Sequence, residues 1–261
     1  MPPGEPRFGE VAEEYEAYRV GYTALVYEHL ARRCGLHAGA RVIDLGCGNG
    51  ISAVPLLDRG ASVIGVDPDG VMLALAAARI GDRADLRIGR AEEVPAEDGE
   101  ADLVLAAQSA HWFTEPNASR EIQRVLREGG SAVYLWKYPA PDTPYVYLVD
   151  ELIAGLTGAP VRTIYGVGTV PELLGAGWTG YARAVFEQPV AYTVSSYVGY
   201  VSSRDRVRQI AGDHREELLE LLADRLRALE PSGAFVERNL VYVVSAQRAT
   251  TSSVSSDGSA Q

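Results

Sequence analysis

An acid, a run of alternating glycines and a second acid lie close together in this chain: Asp44-Leu45-Gly46-Cys47-Gly48-Asn49-Gly50, then Val63-Ile64-Gly65-Val66-Asp67. Glycine adopts backbone angles closed to other residues and lets the main chain approach a ligand closely. An acid at the tip of the following strand can engage a ribose diol. The stretch therefore reads as strand, glycine turn, helix and second strand, and what it suits is binding a nucleoside. A dinucleotide fingerprint would need a third glycine three residues after its second. Here Gly48 is followed directly by Asn49-Gly50 and then Ile51, which disfavours a nicotinamide oxidoreductase.

A second reactive group is Gln108-Ser109-Ala110-His111-Trp112-Phe113, just after the apolar run Ala101 to Ala106. The His111 imidazole titrates near neutrality and is the best proton acceptor for a hydroxyl, amine or activated carbon. The alternative is a histidine that only shapes a pocket wall. Trp112 is a candidate wall residue, joined by Tyr22, Trp136, Tyr138, Tyr165, Trp178, Tyr197 and Tyr200. An aromatic lining favours a planar or hydrophobic ligand. No group of His, Cys, Asp and Glu has metal-ligand spacing, so no metal is expected.

These residues need a scaffold, and the hydrophobic pattern supplies one. Strands are expected at about 41–44, 62–66, 85–88, 101–106 and 131–136, with helices at about 23–33, 50–58, 70–79 and 115–127, the last closed by Gly129-Gly130. This βαβ alternation predicts a doubly wound α/β sheet. Ahead of it, Phe8, Val11, Tyr15 and Tyr18 recur at helical spacing. Beyond Lys137 the prolines at 139, 141 and 144 interrupt the rhythm, and residues 138–203 read as a cap insertion over the carboxyl edge of the sheet. A helix over 145–156 lies within it. A further helix over 213–229 carries Asp213 and Glu216 as a candidate capping box and Leu218, Leu222, Leu226 and Leu229 on one face. Leu240, Tyr242 and Val244 alternate along a last strand. Residues 1–248 are thus expected to form a single domain with an N-terminal lid at about 5–22. The polar tail 249–261 should be disordered.

The formal charge of −11 and pI near 4.9, without a basic stripe, argue against nucleic acid as a partner. Cys34 and Cys47 alone support neither a disulfide framework nor a cysteine metal site, which suits the cytoplasm. No apolar stretch is long enough for a membrane span, and no leader pattern opens the chain. The composition is compatible with a homodimer.

Opened by Asp44, the G-x-G-x-G turn resembles motif I of the class I S-adenosylmethionine-dependent methyltransferases. Gly65 to Leu73 resembles that family's second motif, Gly89-Arg90-Ala91-Glu92-Glu93-Val94-Pro95 its third, and Ala101 to Gln108 its fourth strand. The resemblance implies a Rossmann-like seven-stranded sheet whose last strand is antiparallel, with a sixth at about 181–186. It implies S-adenosylmethionine as cofactor and S-adenosylhomocysteine as product. Gly46, Gly48, Asn49 and Gly50 would then hold the methionine moiety above Asp44, Asp67 and Pro68 would meet the ribose, Met72, Ala91 and Glu92 the adenine, and Gln108 would complete the pocket. The His111-Trp112-Phe113 run, Phe8 to Tyr22 and Ser195 to Ser203 resemble a small-molecule subgroup related to trans-aconitate methyltransferase. That subgroup implies a lid in which Tyr15 covers the donor and Arg19 pairs with its carboxylate. Val20 departs from the proline common after that arginine. The Pro-Pro-Tyr/Trp element of amine- and glutamine-modifying branches is absent. The expected activity is methylation of a small, aromatic or apolar acceptor at O, N or C, in biosynthesis. The alternative is a donor-binding scaffold that catalyses cyclisation or isomerisation.

Overall fold

The computed structural model describes residues 17–145, 147–158 and 170–250. In chain order run α1 (Ala24–Arg33), β1 (Arg41–Leu45), α2 (Ala53–Leu57), β2 (Ser62–Asp67), α3 (Gly70–Ile80), β3 (Asp85–Ile88), β4 (Ala101–Ala107), α4 (Asn117–Val125), β5 (Leu126–Pro139), α5 (Leu148–Thr157), β6 (Trp178–Thr193), α6 (Val194–Ser202), α7 (Asp205–Ala211), α8 (Arg215–Leu229) and β7 (Ala234–Arg248). The strands form one seven-stranded sheet in the order β3-β2-β1-β4-β5-β7-β6. Its first five strands pair in parallel. The last strand is antiparallel, as the family resemblance implies. Gly177 accepts from the Ala249 amide at one end of β6 and β7, and Gly233 accepts from Val194 at the other.

The chain divides into two compact units. The sheet unit comprises Gly21–Lys137, Val167–Phe186 and Val241–Gln261. Its strands are apolar on both faces, as buried parallel strands must be, and Val42, Leu103, Leu105 and Val133 pack with Tyr27 and Leu30 of α1. The order reverses at β1, which lies between β2 and β4. Asp44 of β1 aligns with Gly65 on one side and Leu105 on the other, so the turns leaving β1, β2 and β4 emerge side by side. A topological switch of this kind is where α/β sheets bind ligands.

The helical unit comprises Met1–Val20, Tyr138–Gly166 and Glu187–Leu240. Its core joins Val149 and Ile153 of α5, Tyr197 of α6, Leu218 and Leu222 of α8 and Phe235 of β7. Gly199 leaves room for the Tyr18 ring against α6. Tyr15 and most of the expected lid, Tyr165, and the tail from residue 251 lie outside the described residues.

Local structure departs from the sequence expectation in five places. The helix after the glycine turn is only Ala53–Leu57, because Gly48 and Gly50 take positive φ and delay its start. Gly129-Gly130 do not close α4. That helix ends at Val125 and the chain is already extended at Leu126, so the glycines sit at a register shift in β5, between the Leu126–Ala101 and Ser131–Leu103 pairs. The capping box belongs to α6, where Thr193 and Ser196 exchange side-chain and backbone bonds, whereas α8 starts after His214 with no side-chain cap. On β7 the inward face carries Phe235, Glu237, Asn239, Val241 and Val243, out of phase with the apolar alternation expected there. Leu218, Leu222 and Leu226 are fully buried on α8, but Leu229 is 51% exposed at its frayed end. Leu226→Ala should therefore cost ~2–5 kcal/mol and Leu229→Ala less than about 1 kcal/mol, measured by urea unfolding.

Candidate functional site

The site is built on three turns of the sheet unit. The first leaves β1. Gly46, at φ +72°, packs so tightly on the Ser109 side chain that a Cβ there would collide with it. Ser109 donates from Oγ to the Leu45 carbonyl at 2.6 Å and so ties the turn after β4 to the end of β1. Gly48 lies under the Met72 methyl, and Gly50 lies against Ala76, both on α3. Asn49 is buried; its Oδ1 accepts from the Ile51 amide at 3.4 Å and its carbonyl accepts from Arg79 Nε at 3.0 Å.

The amides of this turn are turned inward. Gly46 and Cys47 donate to Val66, Gly50 donates to Cys47 and Gly48 donates to Asp67 Oδ2 at 2.9 Å. These four amides are satisfied within the protein, and the Asp44 carboxylate lies beneath the turn. Asp44 is fully buried, with Oδ2 accepting from Ser52 Oγ at 2.7 Å and Oδ1 without a hydrogen-bond partner among the described residues. Burial pushes its pKa up to about 7, against the Ser52 hydrogen bond and with help from the Asp67 charge.

Asp67, at the tip of β2, grips both sides of the crevice. Oδ1 accepts from the Asp69 amide at 2.9 Å, where Asp69 caps α3, while Oδ2 holds Gly48. Burial raises its pKa as well, offset by those two amides. Pro68 is exposed beside it, and Met72 and Ala91 are buried. Glu92 reaches the third turn, accepting from the Thr114 amide at 2.6 Å.

The third turn, after β4, starts at Gln108. It is the sole non-glycine at positive φ (59°) among the described residues, and its Nε2 donates to the Lys137 carbonyl at 2.9 Å. A short 3-10 turn over Ala110–Trp112 then sets the His111 ring 4.9 Å from the Trp112 ring. His111 keeps solvent access, while the protein packed around it holds its pKa below the ordinary imidazole value. Trp112 is 43% exposed; Trp136 is buried edge-on to Tyr134, which meets Phe113 in the same way. The Tyr22 ring lies under Lys137 Nζ at 5.5 Å.

Arg19, Tyr197 and Tyr200 belong to the helical unit. There the Arg19 guanidinium stacks over Tyr200 at 5.4 Å and donates to the Ser203 carbonyl at 3.3 Å. Tyr197 donates to Glu237 Oε1 at 2.9 Å. Sequence reasoning missed Ser109 and Ser52, the hydroxyls that brace the turn and Asp44; small polar residues carry no spacing signal of their own.

A methyltransferase-domain family matches residues 43–134, the segment that holds all three turns. An uncharacterised methyltransferase of Mycobacterium tuberculosis is 33% identical over 215 residues, covering 79% of this chain and 86% of that protein. The chain belongs to the class I S-adenosylmethionine-dependent methyltransferases. A probable S-adenosylmethionine-dependent methyltransferase of Mycolicibacterium smegmatis is 37% identical over 128 residues, 49% of this chain and 48% of that one. A putative type II methyltransferase from Anaeromyxobacter dehalogenans shares the fold, with TM-score 0.66 and 20% identity over 89% of this chain and 98% of that one.

The methyl donor of this enzyme is S-adenosylmethionine, and the residues present suit it. A buried carboxylate oxygen lacking a partner among the described residues, below a turn whose Gly46, Cys47, Gly48 and Gly50 amides are taken up within the protein, complements the ammonium of a methionine moiety rather than a phosphate. Among the described residues no group of His, Cys, Asp and Glu could hold a metal, and no helix is long and apolar enough to cross a membrane.

Because Asp44 has a higher pKa folded than unfolded, the folded state holds its proton more tightly, and stability falls as pH rises from the unfolded value toward about 7. Relative to Asp44→Asn, the wild type should lose on the order of 4 kcal/mol between pH 4 and pH 7. Urea unfolding of both proteins across that range checks it; parallel curves would place the Asp44 proton elsewhere.

Proposed function

We propose that the enzyme methylates a small metabolite with an aromatic or apolar body, at oxygen, nitrogen or carbon, within a biosynthetic route. The observation that carries the reading is the juxtaposition of the Asp44 and Asp67 cradle with His111 and Trp112, on neighbouring turns at the β1–β4 switch. Support for a small acceptor comes from the charge of −11, which disfavours nucleic acid. The trans-aconitate subgroup, to which the His-Trp-Phe run bears a resemblance, acts on acceptors of this size.

The donor brings a methyl group already activated by a positively charged sulfur. What remains for the chain is alignment, which supplies roughly 7–11 kcal/mol in well-oriented systems, and removal of a proton where the acceptor carries one. In this proposal the Gly46–Gly50 turn and Asp44 hold the amino acid end, and Asp67 with Pro68 the ribose. Met72, Ala91, Glu92 and Gln108 surround the adenine. His111, whose pKa burial holds below the ordinary imidazole value, takes the acceptor proton. Trp112, Trp136 and Tyr22 are its proposed walls.

Asp67→Ala should weaken S-adenosylhomocysteine binding by roughly 1.5–3 kcal/mol, read by calorimetry; an unaltered constant would mean that the ribose is held elsewhere. His111→Ala should keep donor affinity and lower turnover ~100-fold or more with an acceptor that must lose a proton. Unchanged turnover would leave His111 a wall residue. Release of S-adenosylhomocysteine in step with product separates methyl transfer from a cyclisation on the same scaffold.

A further inference from the structure

The loop that follows β3 carries Ala91 and Glu92, and it is pinned at both ends. At its start the Gly89 amide donates to the Asp67 carbonyl at 3.2 Å, and a Cβ on Gly89 would collide with the Pro95 ring. At its end stands Arg124, in the last turn of α4. Its Nη2 donates to the Val94 carbonyl at 2.9 Å and its Nη1 to the Ala96 carbonyl at 2.8 Å. Nη1 also meets Asp98 Oδ1 at 2.7 Å, while Nε and Nη2 form a fork on the Glu121 carboxylate at 2.9 and 2.8 Å. These bonds use every N–H of the guanidinium. Glu121 accepts in turn from the Val94 amide at 3.0 Å, so this one pair holds both the amide and the carbonyl of a buried residue. The Arg124 carbonyl accepts from Gly99 at 2.9 Å, and Arg87 adds a bond to the Pro95 carbonyl. A cation in the last turn of a helix can serve that helix's own carbonyls; here the fork faces a neighbouring loop.

We propose that Arg124 and Glu121 are positioning residues for the methyl donor, presetting the loop over residues 89–96 so that Ala91 and Glu92 receive the adenine without a further change of shape. The inference rests on the reading that these two residues flank the adenine, and it adds what holds them there. A loop without regular structure samples many shapes, and apparent affinity falls with the fraction that can accept the ligand. The Asp98 side chain is 81% exposed, so its ion pair with Arg124 contributes little. The bonds that fix the loop are those to Val94 and Ala96, because a charged donor on a backbone oxygen is strong and holds the main chain itself. That hold ends two residues from Glu92, whose Oε1 is fixed on the opposite side by the Thr114 amide at 2.6 Å. An ammonium could not span Val94, Ala96 and Glu121 at once, since only the planar fork presents five N–H groups in fixed directions.

Calorimetric titration with S-adenosylhomocysteine and with S-inosylhomocysteine, which carries a carbonyl in place of the adenine amino group, tests the proposal. Arg124→Ala should weaken S-adenosylhomocysteine binding about tenfold or more and Arg124→Lys about fivefold or more. Glu121→Gln should fall between Arg124→Lys and the wild type. Preference for the adenine ligand over the inosine ligand should shrink in both Arg124 variants, a change that a loss of overall stability would not produce. Amide hydrogen exchange over residues 91–96 should be faster than in the wild type without ligand and return to the wild-type rate at saturation with S-adenosylhomocysteine. Should Arg124→Ala not fold, Arg124→Lys, which keeps the charge and most of the stem, carries the comparison. Wild-type affinity and base preference in folded Arg124→Lys overturn the proposal. Glu92→Ala separates the two readings. Unchanged affinity there, or a wild type that binds both ligands alike, would count against the adenine placement; a loss there beside wild-type binding in the Arg124 variants would count against the positioning role alone.

Discussion

The close seat of Gly46 on Ser109 is the contact from which the rest of the site follows. Without a side chain at position 46, the turn after β1 can lie flush against the turn after β4, and the Ser109 hydroxyl locks the two together through the Leu45 carbonyl. Any Cβ there would both collide and strain a left-handed backbone. With that contact made, Asp44 is sealed beneath the turn, Gly48 swings its amide to Asp67, and Gln108 is drawn into a left-handed conformation that aims its amide at Lys137. Three chain segments distant in sequence become one rigid rim.

Burying two acids in that rim carries a cost, and the structure shows how it is handled. Asp67 is satisfied by two backbone amides, the cheapest partners available to a carboxylate at a strand tip. Asp44 has one hydroxyl and an oxygen left over, so its proton stays on to near neutral pH. A site that leaves one buried acceptor unsatisfied is poised for a ligand bearing a donor, and a cationic amino acid end meets that need while restoring the ionised form.

The motifs were legible because they are local. Glycines at alternating positions, an acid ending an apolar strand, and an apolar run before Gln108 specify turns and strands through backbone freedom and burial, and the fold followed from their order. Elements without such local signatures were harder. Gly129-Gly130 reads as a helix stop from composition, yet pairing with β4 pulls the chain into a strand five residues sooner. The phase of β7 was misjudged because Val243 and Val244 are both buried, leaving alternation ambiguous until the neighbouring strands are in place.

From sequence alone came the donor class and the parallel sheet with its reversed last strand, since each depends on short-range spacing that backbone geometry enforces. The tertiary structure alone decided that the Gly46, Cys47, Gly48 and Gly50 amides are taken up within the protein, that Ser52 and Ser109 brace the site, and that Asn49 is internal. Those outcomes depend on contacts between residues far apart in the chain, where packing and the need to satisfy buried polar groups choose the partner, and no pattern within one segment encodes them.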